Sequence, residues 1–128
     1  MSYRDYETMN ESVLREWRPL LTLANQVWEV ERKLPRLDHP ELLQRNVAKM
    51  KEALRDLGLE YEDPAGQAYD ETRTDCSASI AGVNTTDLVV TETLKPIIRI
   101  RDRSRVSLLQ QAVVIVASRH SDTEDTHD

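Results

Sequence analysis

The chain has 128 residues, 39% hydrophobic and 31% charged, with a formal charge of −6, four tyrosines, two tryptophans and no phenylalanine. That length fits one domain, or one helical unit with a small appendage, and so little aromatic bulk excludes a large compact core. No apolar run approaches the roughly 20 residues of a membrane span; the N-terminal MSYRDYETMNE has no signal-peptide core and Cys76 is the lone cysteine, so a cytoplasmic protein without an internal disulfide is expected.

The first helix is predicted from about Met9 to Leu34. Val13, Leu20, Val27 and Leu34 recur every seven residues, with Trp17 and Ala24 between them and Leu14, Leu21 and Trp28 widening the band. A band this wide can serve two neighbours. Pro19 stands inside the pattern and predicts a kink or break near Arg18. Pro35 to Asp38 form a turn, and a second helix follows to Gly58. Asp38 is its expected N-cap, with Glu41 as capping-box partner and Pro40 in the first turn. Leu43, Val47, Met50, Leu54 and Leu57 share one face of this helix, and Gly58 ends it with a left-handed cap. So short a turn folds the helices into an antiparallel hairpin, and two hairpins make a four-helix bundle. The predicted dimer interface is Trp17, Leu20, Leu21, Ala24, Val27, Trp28, Leu43, Val47, Met50, Leu54 and Leu57.

After Gly58 the pattern changes. Tyr61 to Asp70 read as an irregular loop around Pro64 and Gly66. Strands are predicted at Arg73–Ile80, Leu88–Leu94, Ile97–Arg101 and Leu109–Ala117, with a turn at Asn84–Asp87 and Pro96 stopping the second strand. Short, turn-linked strands are antiparallel by default. The expected fold class is therefore α+β: a helical dimerisation hairpin over 1–58, a small all-β domain over 59–119, and a disordered acidic tail over 120–128.

Charge divides along the same chain. Residues 61–94 carry seven acids against Arg73 alone, whereas 95–119 carry Lys95, Arg99, Arg101, Arg103, Arg105 and Arg119 against Asp102. Arg99 and Arg101 alternate along a strand and share a face, with Arg103 and Arg105 in the turn beyond. This group and Lys95 are the candidate docking surface for an acidic partner, the bland reading being an edge strand guarded by charge. Nucleic acid is not expected, since the chain is acidic and no aromatic residue interleaves the arginines. His39, His120 and His127 lack partners at metal-ligand spacing, and no phosphate loop, dinucleotide fingerprint or nucleophile elbow is present. No environment that would activate Cys76 is visible, and Asp63, Asp70 and Asp75 read as solvated acids. No catalytic residue, metal or cofactor is expected.

The order of pieces resembles the GrpE-type nucleotide exchange factors of Hsp70 chaperones, over roughly residues 17–117. Trp17-Arg-Pro-Leu-Leu-Thr-Leu-Ala-Asn resembles the family's leucine-proline-leucine stretch, and Val47 to Glu60 resembles the second bundle helix and its closing glycine. Gly66-Gln-Ala-Tyr-Asp resembles the opening of the family's β-domain. Val89-Val-Thr-Glu-Thr-Leu-Lys-Pro resembles the strand pair after it, and Leu109-Gln-Gln-Ala-Val-Val-Ile-Val the closing strand. The family's histidine after the Gly-x-x-Phe-Asp is replaced by Thr74, its Gly-Arg turn by the basic stretch Arg101 to Arg105, and its long stalk is mostly absent. The resemblance implies a short, divergent homodimeric co-chaperone. Its β-domain would press on the Hsp70 nucleotide-binding domain and hold the cleft open for ADP to leave. A dimeric adaptor with the same architecture and no exchange activity is the alternative.

Overall fold

The structure is a computed structural model that describes the backbone of residues 3–120 and the side chains of 15–120. The tail predicted to be disordered lies outside the described residues from Ser121 onward, as do the side chains of Val13 and Leu14. The architecture is α+β, and the chain divides into two compact units, Met1–Glu60 and Tyr61–Asp128.

In the first unit, helix α1 runs from Tyr3 to Lys33, a single 3-10 turn covers Leu34–Arg36, and α2 runs from Glu41 to Asp56. Helix α1 begins earlier than predicted, and it continues through Pro19 without a break. A proline removes one intrahelical donor; close by, the Thr22 hydroxyl donates to the Arg18 carbonyl at 3.1 Å. Neither the Asp38 cap nor its capping box forms. Pro40 is the N-cap residue, already helical at φ −61°, so Asp38 stands too far upstream to reach the first-turn N–H groups. Glu41 pairs instead with His39, Oε1 to Nδ1 at 3.2 Å. The other end follows the sequence, with Gly58 left-handed at φ 89° and its N–H donating to the Arg55 carbonyl at 2.9 Å.

Ala24, Val27, Trp28 and Leu34 of the first helix and turn, and Val47 and Leu54 of α2, are buried. Between the helices, Lys51 Nζ meets Glu31 Oε2 at 2.9 Å. The Arg32 guanidinium lies over the Trp28 ring, 4.7 Å from its centre. The predicted stripe on α2 thus splits in two. Val47 and Leu54 are buried, while Leu43, Met50 and Leu57 remain 42%, 37% and 51% exposed. These three recur every seven residues, one turn-pair apart along one line of the helix.

Seven strands follow: β1 (Leu59–Glu62), β2 (Ala68–Tyr69), β3 (Cys76–Ile80), β4 (Leu88–Lys95), β5 (Ile97–Asp102), β6 (Arg105–Gln110) and β7 (Ala112–Ser118). They form a three-stranded sheet in the order β1-β5-β6 and a four-stranded sheet in the order β2-β4-β7-β3. The predicted loop from Tyr61 therefore contains the end of β1 and all of β2. The predicted strand Arg73–Ile80 starts only at Cys76, and Leu109–Ala117 is divided at Gln111 between β6 and β7. Not every pairing is antiparallel. β3 and β7 are parallel, Cys76 opposite Ala112 through Ile80 opposite Val116. The reason is topological: the chain reverses from β3 into β4, and β7 is antiparallel to β4, so two reversals give β7 the direction of β3.

Within this unit the core is Cys76, Val90, Ile97, Ala112, Val114 and Val116, with Tyr69, Ala78 and Leu88 packed against it. Ala112, Val114 and Val116 alternate inward along β7, the period of two expected of a strand with one buried face. Pro64 to Gln67 form a β-turn closed by Gln67 N donating to Pro64 O at 3.0 Å, with Gly66 third at φ 86°. The Gly66 N–H donates to Val90 O at 2.8 Å and Val90 N to Gln67 O at 2.9 Å, which docks the turn on β4.

Candidate functional site

The predicted basic group lies on the β5–β6 hairpin. Arg101 faces Val106 across it, Asp102 faces Arg105, and Arg103 with Ser104 make the two-residue loop. Arg103 has φ 60°, at the first loop position, where tight hairpin loops favour glycine. Arg101, Arg103 and Arg105 are exposed, as is Lys95 at the end of β4.

Register separates residues that the sequence reading grouped. Arg99, Arg101, Val106 and Leu108 share one face of the hairpin, while Ile100, Asp102, Arg105 and Ser107 share the other. Arg105 is a strand residue rather than part of the turn, and it stands opposite an acid.

Arg99 is different again. It is half-buried, and its Nη1 donates to Glu62 Oε1 at 2.7 Å while Nη2 donates to Asp75 Oδ2 at 3.3 Å. Asp75 is also held by Arg73, through Nε to Oδ1 at 2.9 Å and Nη2 to Oδ2 at 3.2 Å. Arg73 Nη1 further donates to Gln67 Oε1 and to the Ala68 carbonyl, both at 3.1 Å, and Gln67 Nε2 donates to Glu62 Oε2 at 2.9 Å. Two arginines, two carboxylates and one amide thus close a network.

Its electrostatics follow from these bonds. The Gln67 amide, then Arg99, hold the Glu62 carboxyl below its ordinary value. The Arg73 fork does the same for Asp75, and Asp75 in turn raises Arg73. Burial pushes the neighbouring Cys76 thiol up, so it is protonated at neutral pH. Sequence reasoning missed this network. The available signal was Arg73, the single base among seven acids in residues 61–94, two residues from Asp75.

Other acids of that stretch also have local bonds. Asp63 Oδ1 accepts from the buried Thr93 hydroxyl at 2.6 Å and from Ala65 N at 2.9 Å. Asp70 accepts from the Thr72 N–H at 2.8 Å and from its hydroxyl, and these bonds lower its pKa. Of the predicted interface residues, Ala24, Val27, Trp28, Val47 and Leu54 are buried, Trp17, Leu20 and Leu21 are half-buried, and Leu43, Met50 and Leu57 are exposed.

Among the described residues, no three His, Cys, Asp or Glu are grouped to hold a metal ion, and no helix is long and apolar enough to cross a membrane. Compared with family models, with curated proteins and with solved structures, the chain finds no match in any of the three.

Proposed function

We propose that this chain is a short, divergent GrpE-type co-chaperone, a cytoplasmic homodimer that promotes ADP release from an Hsp70-type chaperone. The observation that carries the reading is the element order: a long helix, a short turn, a second helix ending at Gly58, then a β unit whose last hairpin presents Arg101, Arg103 and Arg105 to solvent. Leu43, Met50 and Leu57, an exposed line at heptad spacing, are the surface on which a second hairpin would dock. The exposed arginines would meet an acidic face of the nucleotide-binding domain and steer its encounter.

The task asked of the protein is thermodynamic. An exchange factor must bind the open, nucleotide-free state more tightly than the closed one, because equal affinity for both shifts nothing. No covalent step is required, and no enzymatic activity is proposed. Stopped-flow release of labelled ADP from an Hsp70-type chaperone of the same source tests the reading. Acceleration by the added protein is expected. Binding with an unchanged release rate would instead make it a dimeric adaptor.

A further inference from the structure

Strand β6 is the outer strand of its sheet. β5 occupies one side, and among the described residues no strand pairs with the other. Native edge strands are usually blunted by charge, proline, a bulge or a covering segment, because their free N–H and C=O groups otherwise invite another strand. From Val106 to Leu108, β6 has no charge and no proline, and its register with β5 is regular; the one irregularity comes after Leu108. Val106 and Leu108 are 45% and 42% exposed, on the same face. An edge of this kind is what strand addition uses, with main-chain bonds giving affinity and alternate side chains giving selectivity.

Charge selects the occupant. Arg105 opens the strand, Arg103 stands beside it in the loop, and Arg101 shares the face of Val106. Asp102 of β5 flanks Arg105 on one side only; a second copy of β6 would bring no acid to the other, and in parallel register would set Arg105 against Arg105. We propose that the β6 edge takes an extended acidic segment of another protein as an added strand, its carboxylate opposite Arg105 and its apolar side chains opposite Val106 and Leu108. This goes beyond the exchange reading and does not depend on it.

The test is an NMR titration of the isotope-labelled full chain with the blocked peptide Asp-Val-Thr-Val-Glu. Its controls are Lys-Val-Thr-Val-Lys and the acidic peptide N-methylated at alternate residues. The acidic peptide is expected to shift the amides from Arg105 to Leu108 and to slow exchange at Val106 and Leu108, whose N–H groups face away from β5. It should bind up to about fivefold more tightly than the basic peptide, the upper range for an exposed ion pair. Arg105→Glu should abolish that preference, and N-methylation should abolish binding. The proposal is overturned if millimolar acidic peptide leaves these amides unchanged, or if the N-methylated peptide binds equally well. It is also overturned if their exchange slows with protein concentration alone, which would make a second copy the occupant.

Discussion

Arg99 and Arg101 stand two residues apart and have unlike roles. Arg101 is exposed, whereas Arg99 is shared between Glu62 and Asp75. Glutamate at Arg101 and Arg103 together should therefore change stability by less than about 0.5 kcal/mol, as surface replacements do, whereas Arg105→Glu sets a carboxylate opposite Asp102 and should cost up to about 1 kcal/mol. Thermal melting checks this. Arg99→Glu would bring a third carboxylate to the two it now holds and should lower the melting temperature clearly. The network also sets a pH dependence. Glu62 and Asp75 have depressed pKa values in the fold, so their contribution is complete above the ordinary carboxylate values near 4 and is lost as pH falls through the depressed ones. Replacing Arg73 by Met should cost about 1–2 kcal/mol at pH 7, discounted for partial exposure, and less at pH 2. Urea melts at the two pH values measure the difference, and an equal loss at both would contradict the assignment.

At the scale of elements, the sequence was legible where period and punctuation agreed. Val47 and Leu54 lie on the predicted face of α2, and Gly58 ends the helix. The start of α2 was misread because Asp38 and Glu41 have capping-box spacing, while Pro40 already supplies the helical φ one residue before the helix begins. In the β unit, Leu59–Glu62 and Ala68–Tyr69 are too short or too polar to show alternation. A parallel pairing between distant strands leaves no local signal at all. The basic stretch was found, but its division between two faces depends on β5–β6 register. Glycine gives a sharper test of element geometry. At Gly66 an added Cβ would meet nothing within 4 Å, yet φ is +86°. Gly66→Ala should then cost about 1 kcal/mol from backbone conformation alone. Chemical denaturation reads it, and an unchanged midpoint would mean that the turn relaxes.

At the scale of the whole molecule, the two heptad lines of α2 separate folding from assembly. Leu54 is 3% exposed and Met50 37%. Leu54→Asp buries an unpaired carboxylate and should unfold the helical unit, at a cost of several kcal/mol. Met50→Asp should leave a folded chain and remove only the association expected of the unmodified protein. Sedimentation at micromolar concentration with circular dichroism distinguishes the two, and a folded monomer for the unmodified protein would sink the dimer.

The ladder of the β unit is nested: the β5–β6 pairs lie between the β4–β7 pairs in sequence, and β3 joins β7 across 36 residues, Cys76 to Ala112. Closure entropy grows with loop length, so the sheets should form as a zipper opening outward from the loop at Arg103, with the distant partners β1 and β3 joining late. Loop chemistry would then govern how fast the chain folds, and β3 how slowly it comes apart. Arg103→Gly relieves the left-handed arginine and should speed refolding severalfold, whereas Ala78→Gly on β3 should leave refolding unchanged and hasten unfolding. The same loop that offers its charge to solvent would thus be the first part of the β unit to take its final shape.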